Sequence, residues 1–263
     1  MFNEEINRAI ARMAEVAGYL WQKGWAERNG GNISYNITPW VDDEMRARKP
    51  VSESIALGRR VPELSGSWFL VTGTNRRMRC VASEPMQNAS IIRIDDDGAG
   101  YRIVACEAIR PTSELPAHLA IHNYLRASGR EQIRVVVHTH PTDLIAMTHN
   151  AAFLEKDRLG SLLWSMIPET RAFCPKGLGI VRYELPGSEA LADRTIEQLA
   201  AYDVVMWEKH GALAVGEDPV EAFDMIDTLS KSAQIYLTSR AMGFCPAGMT
   251  AEQMDELKRV FGL

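Results

Sequence analysis

The sequence predicts a layered α/β domain. Three observations carry that prediction. Helical stripes and short apolar strands are mixed along all 263 residues. A hydrophobic fraction of 46% against 24% charged can fill a sizeable core without disulfides. No internal repeat, low-complexity tract or linker-like shift in composition divides the chain, so one domain over residues 1–263 is expected. Layering is how helices and sheet strands both bury an apolar face.

The elements follow in order. From Asn3 to Gln22, Ile6, Ile10, Met13, Ala14, Ala17, Leu20 and Trp21 recur at three- and four-residue spacing, which predicts a helix ended by Gly24. Asn29-Gly30-Gly31-Asn32 is too rich in turn formers for regular structure, and Ile33 to Ile37 alternates as a half-buried strand does. Residues 39–66 are charged and broken by Pro39, Pro50 and Pro62, and read as a long surface excursion. Trp68 to Thr72 is a buried strand. Residues 90–94 and 101–105 flank Asp95-Asp96-Asp97-Gly98 as a hairpin; a calcium loop is excluded because alternating ligands and a closing glutamate are missing. A helix is expected from Ser113 to Ala127 with a Gly129 stop, then a buried strand from Ile133 to Val137. Residues 188–201 read as helix, 204–207 and 212–215 as strands, and 218–242 as a long helix with a shorter one after Thr250.

Composition excludes several classes of function. A net charge of -5 argues against nucleic acid as a partner. No run approaches the roughly 20 apolar residues that span a bilayer. The start Met-Phe-Asn-Glu-Glu lacks the features of a signal peptide, so no membrane partner and a cytoplasmic location are expected. Cys80, Cys106, Cys174 and Cys245 are scattered and read as reduced thiols.

The sharpest chemical feature is His138-Thr139-His140. Side chains at i and i+2 of a strand share a face, close enough to hold one metal ion, and His210 at the end of another apolar strand is the candidate third ligand. The pair alone reads equally as hydrogen-bonded histidines. His118, His122 and His149 fall on expected helices with polar neighbours and are not read as ligands. In Pro111-Thr112-Ser113-Glu114, Thr112 and Ser113 suit a helix cap or an anion site. Asn29-Gly30-Gly31-Asn32 and Thr72-Gly73-Thr74-Asn75 read as tight turns or as phosphate loops, and neither is a Walker or GxGxxG motif. Gly177-Leu178-Gly179 reads as a turn.

In their order along the chain, NGGN, TGT, PTSE, HTH and a late KHG resemble the class II aldolase and adducin family of zinc-dependent sugar-phosphate aldolases and epimerases. The stretches Trp25 to Asn32, Pro111 to His118, Asp227-Thr228 and Lys231 to Gln234 are similar to it as well. The resemblance implies a three-layer α/β/α fold with a mainly antiparallel central sheet. It implies one Zn²⁺ per subunit on His138, His140 and His210, with Glu114 as general acid/base. Asn29, Gly31, Asn32, Thr72, Gly73, Thr74, Asn75, Thr112 and Ser113 would bind phosphate and substrate. Glu169 would act in a neighbouring subunit's site, which requires a homo-oligomer, a C4 tetramer by analogy. The implied activity is reversible cleavage of L-rhamnulose 1-phosphate to dihydroxyacetone phosphate and L-lactaldehyde. The alternatives are a fuculose or ribulose phosphate aldolase, a 4-epimerase, or a non-catalytic adducin-like module. One departure stands out: Thr72-Gly73-Thr74-Asn75-Arg76 replaces the serine and glycine common after the first glycine.

Overall fold

The computed structural model describes residues 2–105 and 107–262. Cys106 therefore lies outside the described residues. Of the other cysteines, Cys174 is buried, and all three are free thiols.

Nine strands form one sheet: β1 (Asn32–Asn36), β2 (Ile55–Ala56), β3 (Trp68–Thr72), β4 (Ala89–Ile94), β5 (Gly100–Ile103), β6 (Val135–Thr139), β7 (Gly179–Val181), β8 (Val204–Trp207) and β9 (Gly211–Gly216). Their order is β2-β5-β4-β3-β1-β6-β9-β8-β7, and every pairing is antiparallel except β7 with β8. Side chains alternate between two apolar layers, as the pleat requires. Val135 and Val137 face the helices Glu4–Gln22 and Pro219–Ala241; Val136 faces Leu115–Ala127 and Glu189–Leu199. Phe69, Val71 and Ile92 pack with Leu115 and Leu119 on that second face. The result is the expected helix–sheet–helix layering.

The first helix starts where its stripe does, with Asn3 capping it by accepting from the Ile6 amide at 2.9 Å. The last helix, Ala251–Phe261, is opened by a capping box of Thr250 and Gln253. The Asp95–Gly98 turn closes the β4–β5 hairpin, and Asp95 and Asp96 are occupied by Arg102 and Arg93.

Four expectations are corrected. The segment 39–66 is not merely a surface excursion: Val41, Met45, Val61 and Leu64 are buried, and the segment contributes β2 to the sheet edge. The helix expected at Ser113 begins at Leu115, with Pro116 in its first turn, where a missing N–H costs nothing. Strand β6 runs on through His138 and Thr139 because β9 pairs with both. Gly179 starts the strand β7 rather than ending a turn. Short helices such as Met78–Ser83, Thr142–Thr148 and Pro168–Phe173 show too few turns for a stripe to be visible in sequence. Among the described residues no helix is long and apolar enough to cross a membrane.

Candidate active site

Antiparallel pairing gathers the motifs at one end of the sheet. Asn32 at the start of β1 pairs with His138 near the end of β6, and β6 pairs with the start of β9, which follows His210 directly. The end of β3 lies at the same edge, and a bridge from Gly73 to Pro111 adds the PTSE segment.

Each histidine of the HTH pair is fixed by its own outer contact. His138 Nδ1 donates to the Ala212 carbonyl at 2.9 Å, and its ring stacks on Trp207 with centroids 4.4 Å apart. His140 Nδ1 donates to Glu27 Oε1 at 2.7 Å. Thr139 Oγ1 and the His140 amide both donate to the Trp25 carbonyl, tying β6 to that loop. The two Nε2 atoms face each other at 3.3 Å, close enough for both to reach one ion.

His210 completes the group. The three rings' ligand atoms all lie within 4.8 Å of one another, and His210 Nδ1 is buried without a hydrogen-bond partner. Burial foremost, then the neighbouring imidazoles, holds His138 and His210 below the ordinary histidine range, so both offer neutral nitrogen at pH 7. Three imidazoles with carbonyl and carboxylate outer partners match the donor chemistry of a catalytic divalent metal. Gly211 permits the approach: a Cβ there would sit 2.5 Å from the Thr139 carbonyl and 2.8 Å from His138 Cε1.

A cavity of about 190 Å³ opens in front of these rings. Asn29, Gly31, Asn32, Gly73, Thr74, Asn75, Thr112, Ser113 and Glu114 line it together with the three histidines. Its walls carry no lysine or arginine; Arg76 and Arg110 line an adjoining cavity that shares Thr74 and Asn75. Gly31 and Asn75 hold the two loops in the left-handed region, at φ +77° and +56°, which glycine and asparagine tolerate best. Glu114 stands just before the helix Leu115–Ala127, and its Oε2 accepts from Asn32 Nδ2 at 2.8 Å.

Two expected site residues lie elsewhere. Thr72 is buried away from the cavity, its Oγ1 accepting from the Ile33 amide at 3.0 Å, because a residue inside β3 spends its hydroxyl on the adjacent strand. Glu169, in the first turn of Pro168–Phe173, lines a separate cavity with Lys23, Asp227 and Lys231. The Thr112 and Ser113 hydroxyls do not cap the helix; Thr112 Oγ1 instead accepts from the Glu114 amide at 3.3 Å.

Sequence reading missed four polar residues. Glu27 buttresses His140, and its only signal was its place beside the Asn29 loop. Ser34, His118 and His122 form a buried cluster behind Asn32, with His118 fully enclosed. His118 and His122 on the helix and Ser34 on β1 read as ordinary polar positions, because periodicity does not reveal which polar residue is buried.

Burial sets the pKa of His118 to about 4 and of His122 to about 3, against an ordinary 6.5. The unfolded chain thus binds protons that the folded chain refuses as the pH falls below 6.5. Stability is full above that value and drains toward pH 4, by about 1.4 kcal/mol per pH unit for each histidine. Urea unfolding of the metal-free protein should show a lower midpoint at pH 5.5 than at pH 7; equal midpoints would contradict this account.

A profile described as Class II Aldolase and Adducin N-terminal domain matches residues 11–237. The chain belongs to the class II aldolase and adducin family. Among relatives, a rhamnulose-1-phosphate aldolase of Bacteroides thetaiotaomicron is 57% identical over 97% of this chain and 95% of its own. One of Pectobacterium atrosepticum is 34% identical over 97% and 93%. A sugar-phosphate aldolase structure from Thermotoga maritima superposes with a TM-score of 0.80 at 31% identity, covering 93% of this chain and 100% of that one. An L-fuculose 1-phosphate aldolase shares the fold at TM-score 0.63 and 16% identity, over 100% of this chain and 99% of that one. As a member of the family, the protein is similar to aldolases along nearly its whole length, including the segment 39–66.

Proposed function

We propose that this class II aldolase cleaves L-rhamnulose 1-phosphate reversibly to dihydroxyacetone phosphate and L-lactaldehyde, acting as a Zn²⁺-dependent aldehyde-lyase of rhamnose catabolism. The observation that carries the reading is the joint placement of His138, His140 and His210 with Glu114 around one cavity, in a chain 57% identical to a rhamnulose-1-phosphate aldolase.

His138, His140 and His210 would hold the metal. When bound, it supplies Lewis-acid stabilisation of the negative charge that develops on the donor oxygens. Glu114 handles the proton. In cleavage, the hydroxyl next to the scissile bond gives its proton to a base, a role that Glu169 of a neighbouring subunit would fill, and becomes the aldehyde carbonyl. The electron pair of the broken C–C bond stays with the donor fragment, and Glu114 delivers a proton to that carbon. In synthesis it removes the same proton. Asn29, Thr74, Asn75, Thr112 and Ser113, with the Gly31 and Gly73 backbone, would surround the phosphate with neutral donors, in keeping with the absence of basic residues from the cavity wall. Glu169 would serve the aldehyde-side oxygen of a neighbouring subunit, since it lies in a separate cavity of its own chain. This makes the working enzyme a homo-oligomer, a C4 tetramer by family analogy. Residues 1–263 would act as one domain, as a single sheet and a site assembled from Asn29 through His210 suggest. Unpaired thiols and a sugar-phosphate substrate favour the cytoplasm.

Product analysis tests the reaction. With L-rhamnulose 1-phosphate the enzyme is expected to release triose phosphate faster than with the fuculose or ribulose phosphates. Turnover without triose phosphate would identify an epimerase instead.

A further inference from the structure

The hydrogen bonds behind Glu114 form a chain with one direction. Glu114 Oε2 takes the Asn32 amide N–H at 2.8 Å, so the Asn32 carbonyl oxygen faces the other way. That oxygen lies 2.5 Å from His118 Nε2 and only accepts, which places the His118 proton on Nε2. His118 Nδ1 is then bare and accepts from Ser34 Oγ at 2.8 Å. Ser34 Oγ, its own proton committed, accepts from His122 Nε2 at 2.9 Å. Every donor in the series points toward the carboxylate.

The chain is enclosed: Ser34 and His118 are 0% exposed, His122 3% and Asn32 7%. Burial keeps both imidazoles neutral. Satisfied polar groups in such surroundings reinforce one another, whereas an unsatisfied one is costly, so the arrangement has one favourable polarity. Reversing it would aim the Asn32 oxygen at the Glu114 carboxylate. An amide in the series interrupts any proton relay, so the chain transmits orientation and not protons.

We propose that His118, backed by Ser34 and His122, is a positioning residue: it locks the Asn32 amide so that its N–H holds Glu114 Oε2 and leaves the other carboxylate oxygen for proton transfer. Asn32 thereby serves the acid/base with one amide N–H, and its second N–H stays available at the cavity wall. The inference rests on Glu114 being the acid/base at the donor carbon.

The test is exchange of the donor-carbon proton of dihydroxyacetone phosphate with D₂O, followed by NMR on the metal-loaded enzyme. This half-reaction does not depend on which aldehyde is the partner. His118→Gln puts an amide N–H close to where Nε2–H stood, while His118→Asn is one bond short of Asn32. His118→Asn should slow saturated exchange by roughly 10–100-fold, with half-saturation and bound metal near the parent's. His118→Gln should recover most of that loss. Ser34→Ala, a small change that keeps the fold if His118→Asn does not, should slow exchange about fivefold. Parent-like exchange in His118→Asn or Ser34→Ala would overturn the proposal, as would equal losses in the Gln and Asn variants or a loss confined to metal or affinity. Undiminished exchange in Glu114→Ala would overturn the acid/base reading itself, and the positioning role with it. An enzyme that exchanges the proton but does not cleave L-rhamnulose 1-phosphate would refute only the choice of substrate.

Discussion

Glu114→Ala is expected to lower triose phosphate release by about 10²–10⁴-fold, the contribution typical of a positioned acid/base. The size of the effect follows from the setting. Glu114 is the cavity's carboxylate, it stands beside the histidine group, and one of its oxygens is already anchored by Asn32. The alanine variant keeps all three imidazoles and their contacts to Ala212, Glu27 and Trp207, so bound metal should stay at the parent's level. Rate measurements paired with elemental analysis check both halves. Retained turnover would remove Glu114 from the mechanism; loss of metal would make it a ligand instead.

His138→Ala should have an effect as large by a different route. His138 is the most enclosed of the three imidazoles, held between the Ala212 carbonyl and the face of Trp207. Removing it leaves two imidazoles, one short of the three protein ligands usual at a catalytic zinc with an open position. The charge stabilisation lost is several kcal/mol, so turnover should fall by about 10³-fold or more together with the metal content. Circular dichroism should still report the α/β fold, because β6 keeps its pairing with β1 and β9. A variant with full metal content and full rate would show that the three histidines are not the metal site.

Much of this architecture is written in local pattern. The first helix and the long helix Pro219–Ala241 are legible because their stripes run for several turns, and Val204 to Trp207 and Trp68 to Thr72 because continuous apolar runs suit strands buried on both faces. The histidine group is legible from the HTH spacing and a second strand ending at His210. What the sequence hides is pairing. Nothing local says that Asn32 lies opposite His138, or that Gly211 must be bare for the Thr139 carbonyl to approach. Thr72 sits in a loop-like motif, yet strand pairing turns its hydroxyl to Ile33. His118 and His122 carry the same lesson, since their enclosure comes from the strand packed beneath the helix and not from their neighbours in sequence.

The central claim is metal-dependent carbon–carbon cleavage at the His138, His140, His210 and Glu114 cavity. The most direct measurement is a coupled assay of triose phosphate released from L-rhamnulose 1-phosphate, run on the untreated enzyme, after chelation, and after zinc is restored. The account predicts activity that disappears with the metal and returns with it. Release that persists at full rate after complete metal removal, or no release from protein carrying stoichiometric zinc, would contradict it.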